Sequence, residues 1–353
     1  MRFTIRRGLC CAAACLLVAA CSSASTDFSA SGGGGNGIAG AGNTATAGSA
    51  QAGASPANGA SGAPSAGSGA GGSSAGSAAG GSSGAAGNGA AGALEPGLHP
   101  GCTPGTLSDS GALMSRFDST KVTAGGVEYF MQINEWNTSA MQTMSYGGSF
   151  FFKMTAQQAS APTNGGPTGF PSMFIGANSR HSTANSNLPK QVSSHTSVPT
   201  TWNWNDNGTL ADDTTNSFNA TYDVWFSKNA QGEPNAVGPS GGFLMVWLHK
   251  PMDAQPIGKV LYPAVSIPGV SGTWDVWIGM NGMVPCTSYV RTADTLSLSY
   301  DLNDFIKDAV SNRTNNGTPV LDSSWYLTNI FTGFEIWRGG VNLESTSFCA
   351  VVN

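Results

Sequence analysis

Hydrophobic residues in this 353-residue chain gather after residue 100 into short runs broken by Gly, Pro, Asn and Ser. The strongest run is Gly241 to Lys250, GGFLMVWLHK. It lies between a Gly-rich turn and a polar exit and reads as a strand buried on both faces. Side chains alternate along a strand, so Phe243, Met245 and Trp247 share one face and Leu244, Val246 and Leu248 the other. The aliphatic set predicts sandwich core. The large, soft aromatic set predicts either more core or the floor of a groove.

The same alternation sorts the other runs. Val127 to Asn137 places Gln132, Asn134 and Trp136 on one face. A Trp beside carboxamides suits a sugar ring, whose C–H face stacks on the indole while its hydroxyls take hydrogen bonds; a half-buried structural Trp gives the same pattern. Ser149 to Met154 and Gly169 to Gly176 each predict a strand. Thr201 to Asn205 puts Trp202 and Trp204 on one face. Thr221 to Ser227 puts Asp223 and Trp225 opposite Tyr222, Val224 and Phe226, and a charge in so apolar a strand needs partners or a wet cleft. Trp274 to Gly279 leads into Asn281-Gly282, a two-residue hairpin signal. Tyr326 to Trp337 reads as one strand with Gly333, Glu335 and Trp337 on one face, Gly333 leaving room beside Glu335. Helical period appears once, at Leu302 to Val310, with Asp301 as N-cap. The pattern predicts an all-β fold, an antiparallel sandwich with one helix.

Composition divides the chain. Residues 1–21 read as a signal peptide: Arg2, Arg6 and Arg7, then an apolar run too short to span a bilayer. Val18-Ala19-Ala20-Cys21 resembles a bacterial lipobox, which predicts lipidation of Cys21 and an outer-membrane anchor; an ordinary secretory signal is the alternative. Both predict export. Residues 22–98 are Gly, Ala and Ser and bury too little apolar surface to offset their ordering entropy. They read as a flexible tether with an r.m.s. reach of roughly 50 Å. Residues 99–353 form the one domain.

The formal net charge is −5 and no basic patch stands out, which argues against nucleic acid. His99, His181, His195 and His249 are scattered, so we expect no metal, and no cofactor motif is present. Once the signal leaves, the domain keeps Cys102, Cys286 and Cys349, enough for one internal disulfide with one thiol left over. A monomer is expected.

Eight motifs in order resemble glycoside hydrolase family 12, the endo-β-1,4-glucanases and xyloglucanases: NEWN, FPSMFIG, LPKQVSS, ATYDVWF, FLMVWLHK with QPIG, WDVWIGMNG, DLNDFIKDAV and YLTNIFTGFEIW. The resemblance implies a jelly roll of two curved antiparallel sheets with a concave substrate cleft and a helix on the convex side. It also implies two carboxylates working with retention. Glu335 matches the acid/base position, Asp223 the Asp that supports the nucleophile, and Trp136 the stacking Trp, with Asn134 beside it. Met245, Trp247 and Trp337 complete the implied substrate-binding set. The nucleophile position holds Phe243, and Gly238 to Trp247 contains no Asp or Glu. The position that would pair with Cys102 holds Thr143.

Two functions follow. One is an exported endo-acting β-1,4-glucan hydrolase on a variant route, with Asp223 as base or with Asp206, Glu233 or Asp253 supplying the missing carboxylate. The other is a non-catalytic, lectin-like β-glucan-binding lipoprotein in which Phe243 is a stacking surface. A cell-surface scaffold without a sugar ligand is a third. The Glu335 pKa separates the first from the rest: burial and a neighbouring carboxylate would raise it, Phe243 takes that neighbouring charge away, and an unshifted Glu335 would weaken the hydrolase reading.

Overall fold

The computed structural model describes residues 99–353 apart from 137–140, 149, 157–164, 179–180, 212–214 and 231–237. The expected signal, Cys21, the expected tether and Glu233 lie outside the described residues.

The strand runs assemble into two large sheets. The 11-stranded sheet has the order Lys259–Val265, Trp274–Asn281, Val284–Arg291, Gly242–His249, Ala220–Ser227, Tyr326–Gly333, Ser172–Asn178, Val127–Gln132 and Ser119–Ala124, with two short strands attached. The 6-stranded sheet runs Gly111–Leu113, Thr143–Gly147, Phe150–Ala156, Glu344–Ala350, Pro199–Asn205 and Ser297–Asp301. Pairing within them is antiparallel except at Gly242–His249, which pairs parallel with Val284–Arg291. The architecture is the all-β jelly-roll sandwich expected, with that one parallel step.

Parity along the Gly242–His249 strand separates two apolar layers. Leu244, Val246 and Leu248 join the core between the sheets, with Tyr222, Val224, Phe226, Trp202 and Trp204. Phe243, Met245 and Trp247 face the other way and cluster with Phe130, Phe174, Trp225, Phe331 and Trp337. The aromatic set is therefore a second layer, on the face of the larger sheet that points away from the core.

The helix spans Leu302–Asn312, and the Asp301 carboxylate accepts from the Asn303 N–H as N-cap. Its Phe305 ring sits 4.9 Å from Trp274 and 4.8 Å from Tyr289. Cys102 bonds to Cys349. Closing so long a loop, 247 residues in sequence, stabilises by about 5–6 kcal/mol on chain-entropy grounds. Cys286, buried in the Val284–Arg291 strand, is not part of that pair.

Three local expectations shift. Asn281 pairs with Val284, so the hairpin loop is Gly282-Met283, one residue later than the sequence signal, with Gly282 at φ 62°. The Val127 run ends as a strand at Gln132 because Asn134 turns to φ 49°. The Tyr326 run breaks after Gly333 and resumes at Ile336–Arg338.

Candidate active site

Glu335 occupies that break. The chain leaves the sheet at Phe334, whose N–H donates to the Pro171 carbonyl (3.1 Å), and rejoins at Ile336, whose N–H donates to Gly169 (3.1 Å). Gly333 does not leave room beside Glu335 as expected. A Cβ there would lie 2.4 Å from the Pro171 oxygen, so the glycine serves the close approach of the neighbouring backbone.

Asn219, which the sequence did not flag, fixes the Glu335 carboxyl. The Glu335 N–H donates to Asn219 Oδ1 (2.8 Å), and the Asn219 N–H donates to the Glu335 carbonyl (2.9 Å). The first bond sets the amide orientation, so Asn219 Nδ2 must donate to Glu335 Oε2, which it does at short range. Oε2 is thereby committed as an acceptor. Oε1 is buried without a hydrogen-bond partner. A proton on Glu335 belongs on Oε1.

Asp223 is the second carboxyl. It sits opposite Met245 on one side and Phe331 on the other. The Trp225 indole Nε1–H donates to its Oδ2 (2.8 Å), and Oδ1 is buried without a partner. Alternation already placed Trp225 beside Asp223; the bond itself was not foreseen.

Burial controls both acids, which are fully inaccessible. It pushes Asp223 up to about 7 against the opposing Trp225 hydrogen bond. It pushes Glu335 up to about 8, the negative charge of Asp223 adds to the rise, and the Asn219 amide opposes it. Burial first, and then a negative charge on Asp223, hold the proton on Glu335. Paired carboxyls with separated titrations are the arrangement that divides acid from base.

The resemblance puts Phe243 at the nucleophile position. It is 6% exposed and meets Trp225 edge-on at 5.5 Å. The other carboxylates considered are engaged elsewhere. Asp206 Oδ2 accepts from Gly208 and Leu210 N–H in a turn. Asp253 accepts from Ser217 (2.6 Å) and Arg338 (2.7 Å). Among the described residues no group of three His, Cys, Asp or Glu stands close enough to hold a metal ion.

The implied substrate-binding residues share this face. Trp136 is half-buried against the aromatic layer. Met245, Trp247 and Trp337 are buried in it, with Trp247 and Trp337 6.4 Å apart. Trp337 Nε1 donates to the Gly165 carbonyl (3.0 Å), whereas Trp247 Nε1 has no partner. Asn134 contributes its carbonyl, which accepts from the Phe170 N–H (2.9 Å).

The model of glycosyl hydrolase family 12 matches residues 127–353. The chain belongs to that family. Among curated relatives, it is 32% identical over 167 residues to a probable cellulase Cel12b of Mycobacterium tuberculosis, covering 47% of this chain and 98% of that protein. It is 34% identical over 166 residues to a probable xyloglucan-specific endo-beta-1,4-glucanase A of Aspergillus terreus, covering 46% of this chain but only 58% of that protein. Among solved structures, endoglucanase cel12A from Rhodothermus marinus matches with a TM-score of 0.58 at 30% identity, covering 69% of this chain and 99% of that one. These findings support a β-1,4-glucan hydrolase type of function for the family 12 domain.

Proposed function

We propose that this protein is an endo-acting β-1,4-glucan hydrolase in which Glu335 protonates the leaving oxygen and Asp223 is the working second carboxylate. The observation that carries this is the coupled pair itself. Glu335 holds a proton on an oxygen with no other partner, and burial, aided by the charge of Asp223, keeps it there near neutrality. A retired scaffold has no need of a second buried carboxyl facing an apolar layer, because each such group without full hydrogen bonding is destabilising. Trp136, half-buried at the margin of the aromatic layer, is the stacking surface for a glucose ring, with Trp247 and Trp337 packed beneath in the same layer.

The test is reducing-end release from carboxymethyl cellulose, mixed-linkage glucan and xyloglucan, with Glu335→Gln as control. Release that the control abolishes supports the reading. Phe243 favours one alternative, a binding protein, and retention on a glucan column without release is its signature. The reading extends to location: residues 1–21 support export with a lipid on Cys21. Loss of fatty-acid labelling in Cys21→Ser is the expected result, and labelling that persists contradicts it.

A further inference from the structure

A third carboxyl, Glu135, is fully buried next to Trp136. Its backbone bridges Gly169, which in turn bridges Ile336, so Glu135 lies in the row of Ile336. Ile336 belongs to the core, whereas Trp337 belongs to the aromatic layer. Alternation therefore turns Glu135 away from the outer face and Trp136 toward it. We infer that Glu135, ion-paired to Arg116, is a positioning residue that holds the Trp136 indole in place as a platform for the glucan chain. This assignment rests on the glucan reading above.

Three observations carry it. First, the turn that bears Trp136 is held on both sides. The Ile133 N–H donates to the Asp118 carbonyl (3.1 Å) and the Glu135 N–H to the Arg116 carbonyl (2.9 Å), while the Trp136 N–H donates to the Thr168 carbonyl (3.0 Å). Gly169 permits the approach, since a Cβ there would lie 3.0 Å from the Glu135 Cα. Second, the Glu135 side chain ties in two further segments. Its Oε2 accepts from the Gln142 N–H (3.1 Å), and its Oε1 faces Arg116 Nε at 3.6 Å, an ion pair too long for a hydrogen bond. Burial pushes its pKa up, against the Gln142 N–H and the Arg116 charge. An incompletely bonded carboxyl is costly to bury, and an aliphatic side chain would fill the same seat at lower cost. What the carboxyl supplies instead is a directional hold on Arg116 and Gln142. Third, the same seam reaches Glu335. Gln142 Nε2 donates to Thr168 Oγ1 (3.4 Å), and the Thr168 N–H and Oγ1 both donate to the carbonyl of Ile336 (2.6 and 2.7 Å), the residue after the acid. Thr168 and Gly169 thus carry the platform on one side and the acid on the other.

Isothermal titration of cellohexaose into the protein carrying Glu335→Gln, so that nothing is cleaved, tests this. Adding Glu135→Gln removes the charge opposite Arg116 and should weaken binding by about 2–10-fold, the range of an aromatic stacking contact. With Trp136→Ala also present, Glu135→Gln should change affinity by less than about 2-fold, because residues that act through one contact are not additive. Unchanged affinity in Glu135→Gln, or the same loss with and without the indole, overturns the assignment and leaves the glucan reading intact. If neither the Glu335→Gln parent nor the wild type binds, the glucan reading and the assignment fall together. Arg116→Met, at a side chain 43% exposed, is the second variant should Glu135→Gln fold poorly. It should bring the same loss, again only with the indole in place, and full affinity in it overturns the assignment.

Discussion

The two faces of the Gly242–His249 strand are almost equally apolar in sequence and differ in how their polar atoms are satisfied. On the core face, Trp202 and Trp204 both pair their indole N–H groups, with Ser345 Oγ and the Thr295 carbonyl, each at 2.9 Å. On the outer face Trp247 Nε1, Asp223 Oδ1 and Glu335 Oε1 are buried without partners. Elsewhere in that core Trp274 Nε1 and Tyr300 Oη also lack partners, so open N–H and O–H groups do not by themselves separate the layers. What separates them is the pair of buried acids on the outer face, each with an open oxygen; a buried unpaired group costs about 1–3 kcal/mol.

The sharpest way to break this contrast is Glu335→Gln. It keeps an acceptor for Asn219 Nδ2, so the melting temperature should move little, while kcat falls by about 10²–10⁴-fold. Equal losses of stability and activity would return Glu335 to the structural side. Next is Leu244→Ala, one residue from Phe243 but on the core face. It should lose about 2–5 kcal/mol in urea unfolding, with kcat/KM per folded molecule unchanged. The smallest effect compares two indoles. Trp204→Phe removes the buried indole donor to the Thr295 carbonyl and should cost about 1–3 kcal/mol. Trp247→Phe removes an N–H that has no partner, so it should cost less than Trp204→Phe while raising KM for glucan. Equal stability losses in the pair would mean that the outer face is ordinary core.

Much of this was legible before the structure. Period two assigned Phe243, Met245 and Trp247 to one layer and Leu244, Val246 and Leu248 to the other, and it put Trp225 beside Asp223. The helix announced itself through Asp301 and the spacing of Leu302, Phe305 and Ile306. What escaped was contact across long sequence separations. Asn219 reaches Glu335 over 116 residues, and no local period marks it. Cys349 could not be chosen over Cys286 as the partner of Cys102 without three-dimensional proximity. Gly333 was misread because its reason is the backbone of another strand. Asn134 ended a strand that alternation alone would have continued.

The central claim is that Asp223 works ionised and Glu335 works protonated. The most direct measurement is the pH dependence of kcat/KM on a soluble β-1,4-glucan. Activity should rise as Asp223 loses its proton near 7 and fall as Glu335 loses its own near 8, giving a narrow bell between those limbs. In Asp223→Asn, without the neighbouring charge, the alkaline limb of the remaining activity should move down. An acid limb in the ordinary carboxylate range near 4, or an alkaline limb indifferent to Asp223→Asn, would contradict the account.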